Sequence, residues 1–157
     1  MKVILANPPF ETLASVGSSR GLRLVLNIIP PLGLAYLAAV LEQQGIDTQV
    51  FDFTVERNHV KVIQEITAGQ PDIIGITAST PTFASARVLA GELKKNCPRA
   101  LLVLGGAHVT AIPQTAMENS GFDVLVPNKI GVSPEPPEEY LRILREEIDP
   151  VGMVLGK

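Results

Sequence analysis

The stretch that decides the fold is PDIIGIT at residues 71–77, a continuous apolar run introduced by a proline. Two other runs are of the same kind, VILA at residues 3–6 and ALLVL at residues 100–104. Strands that read as unbroken apolar runs are typical of a parallel sheet covered by helices on both faces. We therefore predict that these three segments, with strand 3 over 73–77, are the central strands of such a sheet.

Helices and strands alternate outward from this run in both directions. We predict two further strands over 48–53 and 123–126, and helices over 31–44, 59–68, 82–96, 113–121 and 138–147. This alternation forces parallel strands joined by right-handed crossovers. The predicted fold is a doubly wound α/β domain, flavodoxin-like or Rossmann-like, with five parallel strands in the order 2-1-3-4-5. It occupies residues 1–149, and a tail follows over 150–157.

Composition narrows the classes of function. The chain has 157 residues, a formal net charge of −3 and a single cysteine, Cys97. Without a concentrated basic patch, nucleic acid is not an expected partner. One cysteine allows neither a disulfide framework nor a thiolate metal cluster. The apolar stretch 24–41 is nearly long enough to span a bilayer, but it contains Asn27 and Pro30-Pro31, so we expect a cytoplasmic protein without membrane insertion.

Ligands of this fold bind beyond the carboxyl ends of the strands. Small, neutral and often hydroxylic residues follow the predicted strands at that edge. They are Asn7, Pro8 and Pro9, Asp52, Thr77, Ala78, Ser79, Thr80, Gly105, Gly106, Ala107, His108, Pro127 and Asn128. Glycines let a ligand approach the backbone, and hydroxyls both donate and accept hydrogen bonds. Such an edge suits a large, mostly uncharged ligand and is poorly suited to proton transfer.

Two common ligands of this fold are not expected. A phospho-receiver needs acidic residues after strand 1 and an aspartate after strand 3, where Asn7 and Thr77 stand. A dinucleotide site needs G-x-G-x-x-G after a strand, which Gly105-Gly106-Ala107-His108 does not match. A flavin-binding protein stays open as an alternative, because the Ser/Gly-rich loop 15–21 could hold a phosphate although it offers no aromatic side chain for stacking.

Short motifs follow one another over residues 1–127: NPP at 7–9, PPLGLAYLAAVLE at 30–42 followed by Gly45, PDIIGITA at 71–78, GGAHVT at 105–110 and FDV at 122–124. In this order they resemble the N-terminal cobalamin-binding domain of radical SAM enzymes. The resemblance implies a corrinoid (cobalamin) cofactor whose nucleotide tail enters the domain. It implies hydrogen bonds from Thr77, Ser79 and Thr80 and a passage at Gly105 and Gly106. The full set of implied cofactor contacts is Asn7, Pro8, Pro30, Leu32, Gly33, Thr77, Ala78, Ser79, Thr80, Gly105, Gly106, Ala107, His108, Val126 and Pro127.

The chain resembles the histidine-free branch of this class. In the broader class a D-x-H-x-x-G motif precedes the first helix, and its histidine coordinates cobalt. Aligning Gly33 with the last glycine of that motif puts Ile28 at the aspartate position and Pro30 at the histidine position. A corrinoid held in this way would have an open or water-filled lower face. His108 has no second metal-binding residue at suitable spacing, so we expect no protein ligand to a metal.

The chain also departs from the family. The sequence VPNKIG at 126–131 replaces the usual G-E-x-E segment, and the C-x-x-x-C-x-x-C motif of radical SAM enzymes is absent. We therefore do not expect an enzyme by itself. The main hypothesis is a corrinoid-binding module that serves a partner or a missing radical SAM or methyltransferase domain. The alternative is a cofactor-free interaction or scaffold domain with the same fold; a homo-oligomer is left open.

Several edge residues also have purely structural interpretations. Thr77 and Ser79 could cap the helix over 82–96, and Thr80 fits that cap well. Asp52 could cap the turn after strand 2. We expect His59 to be solvated at the start of its helix, away from the ligand edge, and Cys97 to be a passive thiol.

Overall fold

Strands and helices alternate in the computed structural model, which describes residues 1–10, 30–56, 58–118 and 120–127. The elements are β1 (Lys2–Asn7), α1 (Leu32–Gln43), β2 (Asp47–Asp52), α2 (His59–Ala68), β3 (Ile73–Thr77), α3 (Phe83–Asn96), β4 (Leu101–Gly105), α4 (Ala107–Ala111), α5 (Pro113–Met117) and β5 (Val124–Val126). A 3₁₀ turn over Thr80–Thr82 leads into α3. The loop 15–21, the predicted helix over 138–147 and the tail over 150–157 lie outside the described residues.

The five strands form one parallel sheet in the order β2-β1-β3-β4-β5. This confirms the predicted order and the interior positions of β1, β3 and β4. The physical reason is burial. An edge strand is open to solvent along one side, so apolar strands are buried best in the interior of the sheet. The side chains at most 2% exposed include those of Ile74, Ile76, Leu102 and Leu104.

Successive residues of each strand face opposite sides of the sheet. The larger core lies on the side of α2 and α3, where Ile4, Ile74 and Leu102 pack with Ile66 and Leu93. A smaller core lies on the other side, which we call the α1 side. There Val3 and Leu5 of β1 pack against Leu34 and Ala38 of α1. On the α1 side the residues of β3 and β4 are only half-buried.

One predicted element differs from the structure. The helix expected from Pro113 up to Gly121 ends at Met117, and a further short helix, α4, precedes it from Ala107, two residues after the end of β4. Five residues are too few to show a helical period in the sequence, so α4 was missed. The break between the two helices lies at Ile112, whose φ of −142° is not helical. None of the described helices is long and apolar enough to span a bilayer.

Candidate functional site

The carboxyl ends of the strands form a terminal row across the sheet. The register pairs Asn7 with Asp52, Thr77 with Gly105, and Gly105 with Val126. Asn7 neighbours Thr77, because Ala6 and Ile76 are paired one position earlier on the adjacent strands β1 and β3. The sheet thus brings together residues that the sequence places up to 119 positions apart (7 to 126).

The α1 side of this row is lined by small side chains. Strand alternation places Asn7, Thr77 and Gly105 on the same side as Leu5 of the smaller core. Two residues earlier on β3, the space at Gly75 is taken by the Leu5 side chain, since a Cβ on Gly75 would be 3.0 Å from Leu5 Cδ2. In the terminal row itself, Gly105 has no side chain, and a glycine gives a ligand room to approach the backbone.

The two adjacent glycines of the GGAHVT motif have different surroundings. Among the described residues, a Cβ added to Gly105 would meet one atom within 4 Å, Val126 O at 3.7 Å. A Cβ added to Gly106 would lie 2.5 Å from Ala78 O and 2.9 Å from Thr77 Oγ1, and Gly106 has a φ of +104°. Gly106 therefore makes room for the chain's own backbone. The space beside Gly106 therefore gives no support to the implied passage of the nucleotide tail at that residue. A passage beside Gly105 stays a prediction.

Gly106 is needed because two loops meet there. Ala78 N donates to Gly105 O at 2.8 Å, and His108 N donates to Ala78 O at 3.1 Å. These bonds join the segment after β3 to the segment after β4. The Ala78 side chain is buried in the larger core, so only its backbone contributes at this edge.

Ser79 and Thr82 cap the 3₁₀ turn that leads into α3. Ser79 N donates to Thr82 Oγ1 at 2.9 Å, and Thr82 N donates to Ser79 O at 3.0 Å. The N-cap residue of α3 is Thr82, which makes no side-chain cap hydrogen bond, so the predicted cap at Thr80 is wrong and Ser79 caps the turn instead of α3 itself. The reason is the 3₁₀ turn over Thr80–Thr82, with Pro81 in its first positions, which separates Ser79 and Thr80 from the start of α3.

The exposed Thr80 side chain instead meets His108. His108 Nδ1 is 3.3 Å from Thr80 Oγ1, and the imidazole stacks on Phe83 with ring centroids 4.0 Å apart. His108 is 5% exposed, and its burial lowers the pKa, so the ring is neutral at neutral pH. Its Nε2 is buried without a hydrogen-bond partner among the described residues. That nitrogen has an unused hydrogen-bonding capacity, on a residue three positions after Gly105.

A polar cluster closes the β2 end of the row. Asp52 Oδ1 accepts hydrogen bonds from Asn7 Nδ2 at 3.0 Å, Thr54 N at 3.0 Å and Thr54 Oγ1 at 2.7 Å. The predicted turn cap at Asp52 is confirmed. The bond to Asn7 was missed, although the predicted neighbourhood of strands 1 and 2 was the signal that could have found it.

His59 is not solvated as expected. Its Nε2 lies 3.1 Å from Phe53 O, and its ring meets the Phe53 ring edge-on at 5.4 Å. The expectation was wrong because α2 begins at the same edge where β2 ends.

Cys97 is buried, with Sγ 3.7 Å from Thr67 Oγ1. No group of three metal-binding side chains occurs within the described ranges.

The remaining predicted residues differ in their burial. Pro30, Leu32 and Gly33 are exposed at the start of α1, and Leu32 is 73% exposed. Pro8 is buried, so that its side chain belongs to the interior of the domain. Ala107 is exposed, and Val126 and Pro127 are half-buried, whereas Asn128 lies outside the described residues.

Comparison with known proteins supports this architecture. The chain is 34% identical over 121 residues to an uncharacterized methyltransferase of Pyrococcus horikoshii, covering 74% of this chain and 24% of that protein. It is 35% identical over 100 residues to the anaerobic magnesium-protoporphyrin IX monomethyl ester cyclase of Rubrivivax gelatinosus, covering 62% of this chain and 18% of the cyclase. The chain thus spans about a quarter or less of the length of the curated relatives it matches.

A solved structure shares the fold. It is a cobalamin-binding protein from Desulfitobacterium hafniense DCB-2, with a TM-score of 0.57 and 18% identity, covering 81% of this chain and 52% of that one. Residues 21–129 match the B12 binding domain family. This match includes α1, β3, Gly105 and the whole of β5. The chain therefore belongs to the B12 binding domain family.

Proposed function

We propose that this domain binds cobalamin at the terminal row of its sheet, with the nucleotide tail lying on the α1 side beside Gly105. The observation that carries the proposal is the difference between the two glycines. Space beside Gly106 is filled by Ala78 and Thr77, whereas an added Cβ at Gly105 meets one atom of the described part of the chain, at 3.7 Å. The family match over residues 21–129 supports the identity of the ligand.

The side chains present at the row suit a corrinoid. A corrin ring carries primary amide groups around its rim, and such groups need neutral donors and acceptors. Thr77 and Asn7 are half-buried and uncharged, and His108 has a buried Nε2 without a partner among the described residues. The nearby carboxylate, Asp52, is held by three donors. When bound, cobalamin supplies the methyl-transfer or radical chemistry, while this chain binds and orients it.

We further propose that no histidine of this chain coordinates the cobalt. The chain contains only two histidines. The ring of His59 is held against Phe53, the His108 ring is buried against Phe83, and Pro30 precedes α1. The test is electron paramagnetic resonance of bound cob(II)alamin in ¹⁵N-labelled and unlabelled protein. Identical spectra are expected; a splitting that changes with the label would show a protein nitrogen on cobalt.

The proposed role is to present the corrinoid to a methyltransferase or radical SAM partner, or to a domain of the same longer protein. Support comes from the names of the relatives, a methyltransferase and a cyclase, of which the chain spans about a quarter or less. A homo-oligomer stays a prediction, which light scattering after size-exclusion chromatography would check.

The central experiment measures retention of hydroxocobalamin after desalting, followed by absorbance titration. We expect about one cobalamin per chain, and we expect Gly105→Leu to weaken binding by roughly tenfold or more, because its side chain fills the space proposed for the tail. The matched control is Gly91→Leu, at an exposed α3 glycine with no atom within 4 Å of an added Cβ. A wild-type protein that stays colourless would overturn the proposal and favour a cofactor-free domain; a flavin spectrum would favour the other alternative.

A further inference from the structure

The Asn7–Asp52 pair lies at the opposite end of the terminal row from Gly105. The two residues are register partners on β1 and β2, and Asn7 Nδ2 donates to Asp52 Oδ1 at 3.0 Å. Asn7 O also accepts from Phe53 N at 3.0 Å, so the backbone of Asn7 is fixed as well as its side chain. Both side chains are half-buried at the edge proposed to hold the corrin ring.

The chemistry of this pair determines the orientation of the Asn7 amide. An ionised carboxylate only accepts hydrogen bonds, so Asn7 must turn its NH₂ group toward Asp52. Thr54 N and Oγ1 hold the carboxylate in place at 3.0 and 2.7 Å. The carbonyl oxygen of the Asn7 amide is thereby left as an acceptor facing away from Asp52.

We infer that Asp52 is a positioning residue: it holds the Asn7 amide so that its carbonyl oxygen accepts a hydrogen bond from an amide N–H of the corrin ring. This inference rests on the proposed function. It gives Asp52 a second task beyond capping the turn after β2. A corrin amide always offers N–H donors, and a freely rotating Asn7 amide would present its own NH₂ to them in part of the population.

The test compares Asp52→Ala with the conservative variant Asp52→Asn, using two probes. Hydroxocobalamin carries the nucleotide tail, and cobinamide has the same ring amides without it. Asp52→Ala removes the acceptor and lets the Asn7 amide rotate, so we expect both probes to bind roughly five- to tenfold more weakly. Asp52→Asn keeps an oxygen at the Oδ1 position, where it still accepts from Thr54 and from Asn7. We expect this variant to bind both probes to within about threefold of wild type.

The control is Asp72→Ala, the same substitution at the amino end of β3, where Asp72 Oδ2 accepts from Lys2 N at 2.7 Å. It should leave both affinities unchanged. Circular dichroism melts accompany every titration. If Asp52→Ala does not fold, Asn7→Leu replaces it, because it removes the amide acceptor and leaves Thr54 on Asp52; cobinamide should then bind roughly fivefold or more weakly.

The outcomes separate this inference from the proposed function. A wild-type chain that retains neither probe contradicts cobalamin binding itself. A wild-type chain that retains both, with a folded Asp52→Ala or Asn7→Leu variant of unchanged affinity, overturns only the role of Asp52. The same holds if Asp52→Ala weakens cobalamin but not cobinamide, because the effect would then come from the tail. It also holds if a folded Asp52→Asn variant loses as much affinity as Asp52→Ala, because the acceptor oxygen would then not be what matters.

Discussion

Successive residues of β3 and β4 face opposite sides of the sheet and differ in their burial. On the α2–α3 side, Ile76 and Leu104 are at most 2% exposed and belong to the larger core. One position further along the same strands, Thr77 and Gly105 face the α1 side and are half-buried. The core thus uses one set of alternating positions, and the proposed ligand binding uses the other. A period of two along a strand lets one segment serve both purposes.

The largest effect is expected at Gly106, the residue that follows the end of β4. Gly106→Ala should lower the free energy of unfolding by about 3 kcal/mol or more, since its Cβ would clash with Ala78 O and its φ is positive. Urea denaturation measures this loss. Gly105→Ala is the control and should change stability by less than about 1 kcal/mol. Equal losses at both positions would remove the distinction between the two glycines.

The next largest loss of stability is expected from shortening a side chain of the larger core. Leu104→Ala should destabilise the domain by about 3 kcal/mol, because Leu104 is fully buried in the larger core. Under conditions where the variant is folded, its affinity for cobalamin should stay within about threefold of wild type. A folded Leu104→Ala protein that loses cobalamin entirely would show that the two sides of the sheet are coupled.

The complementary change is Thr77→Val, which keeps the shape of the side chain and removes the hydroxyl. We expect cobalamin to bind roughly fivefold more weakly, because Thr77 lies in the terminal row beside Gly105. Stability should change by less than about 1 kcal/mol. Absorbance titration and urea denaturation of the same sample check both values. A large loss of stability with unchanged affinity would place Thr77 in the core instead.

The smallest effect concerns His108 and pH. Burial lowers the pKa of His108 in the folded domain, so the unfolded chain binds its proton more readily. The contribution of His108 to stability is therefore present above the ordinary histidine pKa and is lost as pH falls below it. Urea denaturation at pH 7.5 and 5.5 should show lower stability at the acidic pH. His108→Gln should reduce this difference, with His59→Gln as the matched comparison.

Much of the edge was predictable because parallel strands end together. Placing residues such as Thr77 and Gly105 at one edge required only the strand limits and the strand order. The separate roles of Gly105 and Gly106 could not be predicted, since both are glycines after the same strand. Only the position of Ala78, 28 residues before Gly106, shows that the space beside Gly106 is filled by the chain's own backbone.

The Asn7–Asp52 bond and the burial of His108 depend in the same way on distant partners. Asn7 and Asp52 are 45 residues apart, and His108 meets Thr80 across 28 residues. Sequence patterns indicate burial and turns within one segment, so they could not predict either contact between distant segments. The short helix α4 was missed for a related reason, because it begins where the Ala78 backbone receives the His108 N–H.

By itself the amino-acid sequence determined the alternation of strands and helices, the parallel sheet and its order, because apolar runs and the Gly and Pro residues between them act over a few neighbouring residues. The tertiary structure alone decided which glycine leaves open space, how the Asn7 amide is turned and which ring nitrogen of His108 has no partner among the described residues. Those properties depend on atoms that only the packing of separate strands and loops brings within hydrogen-bonding distance.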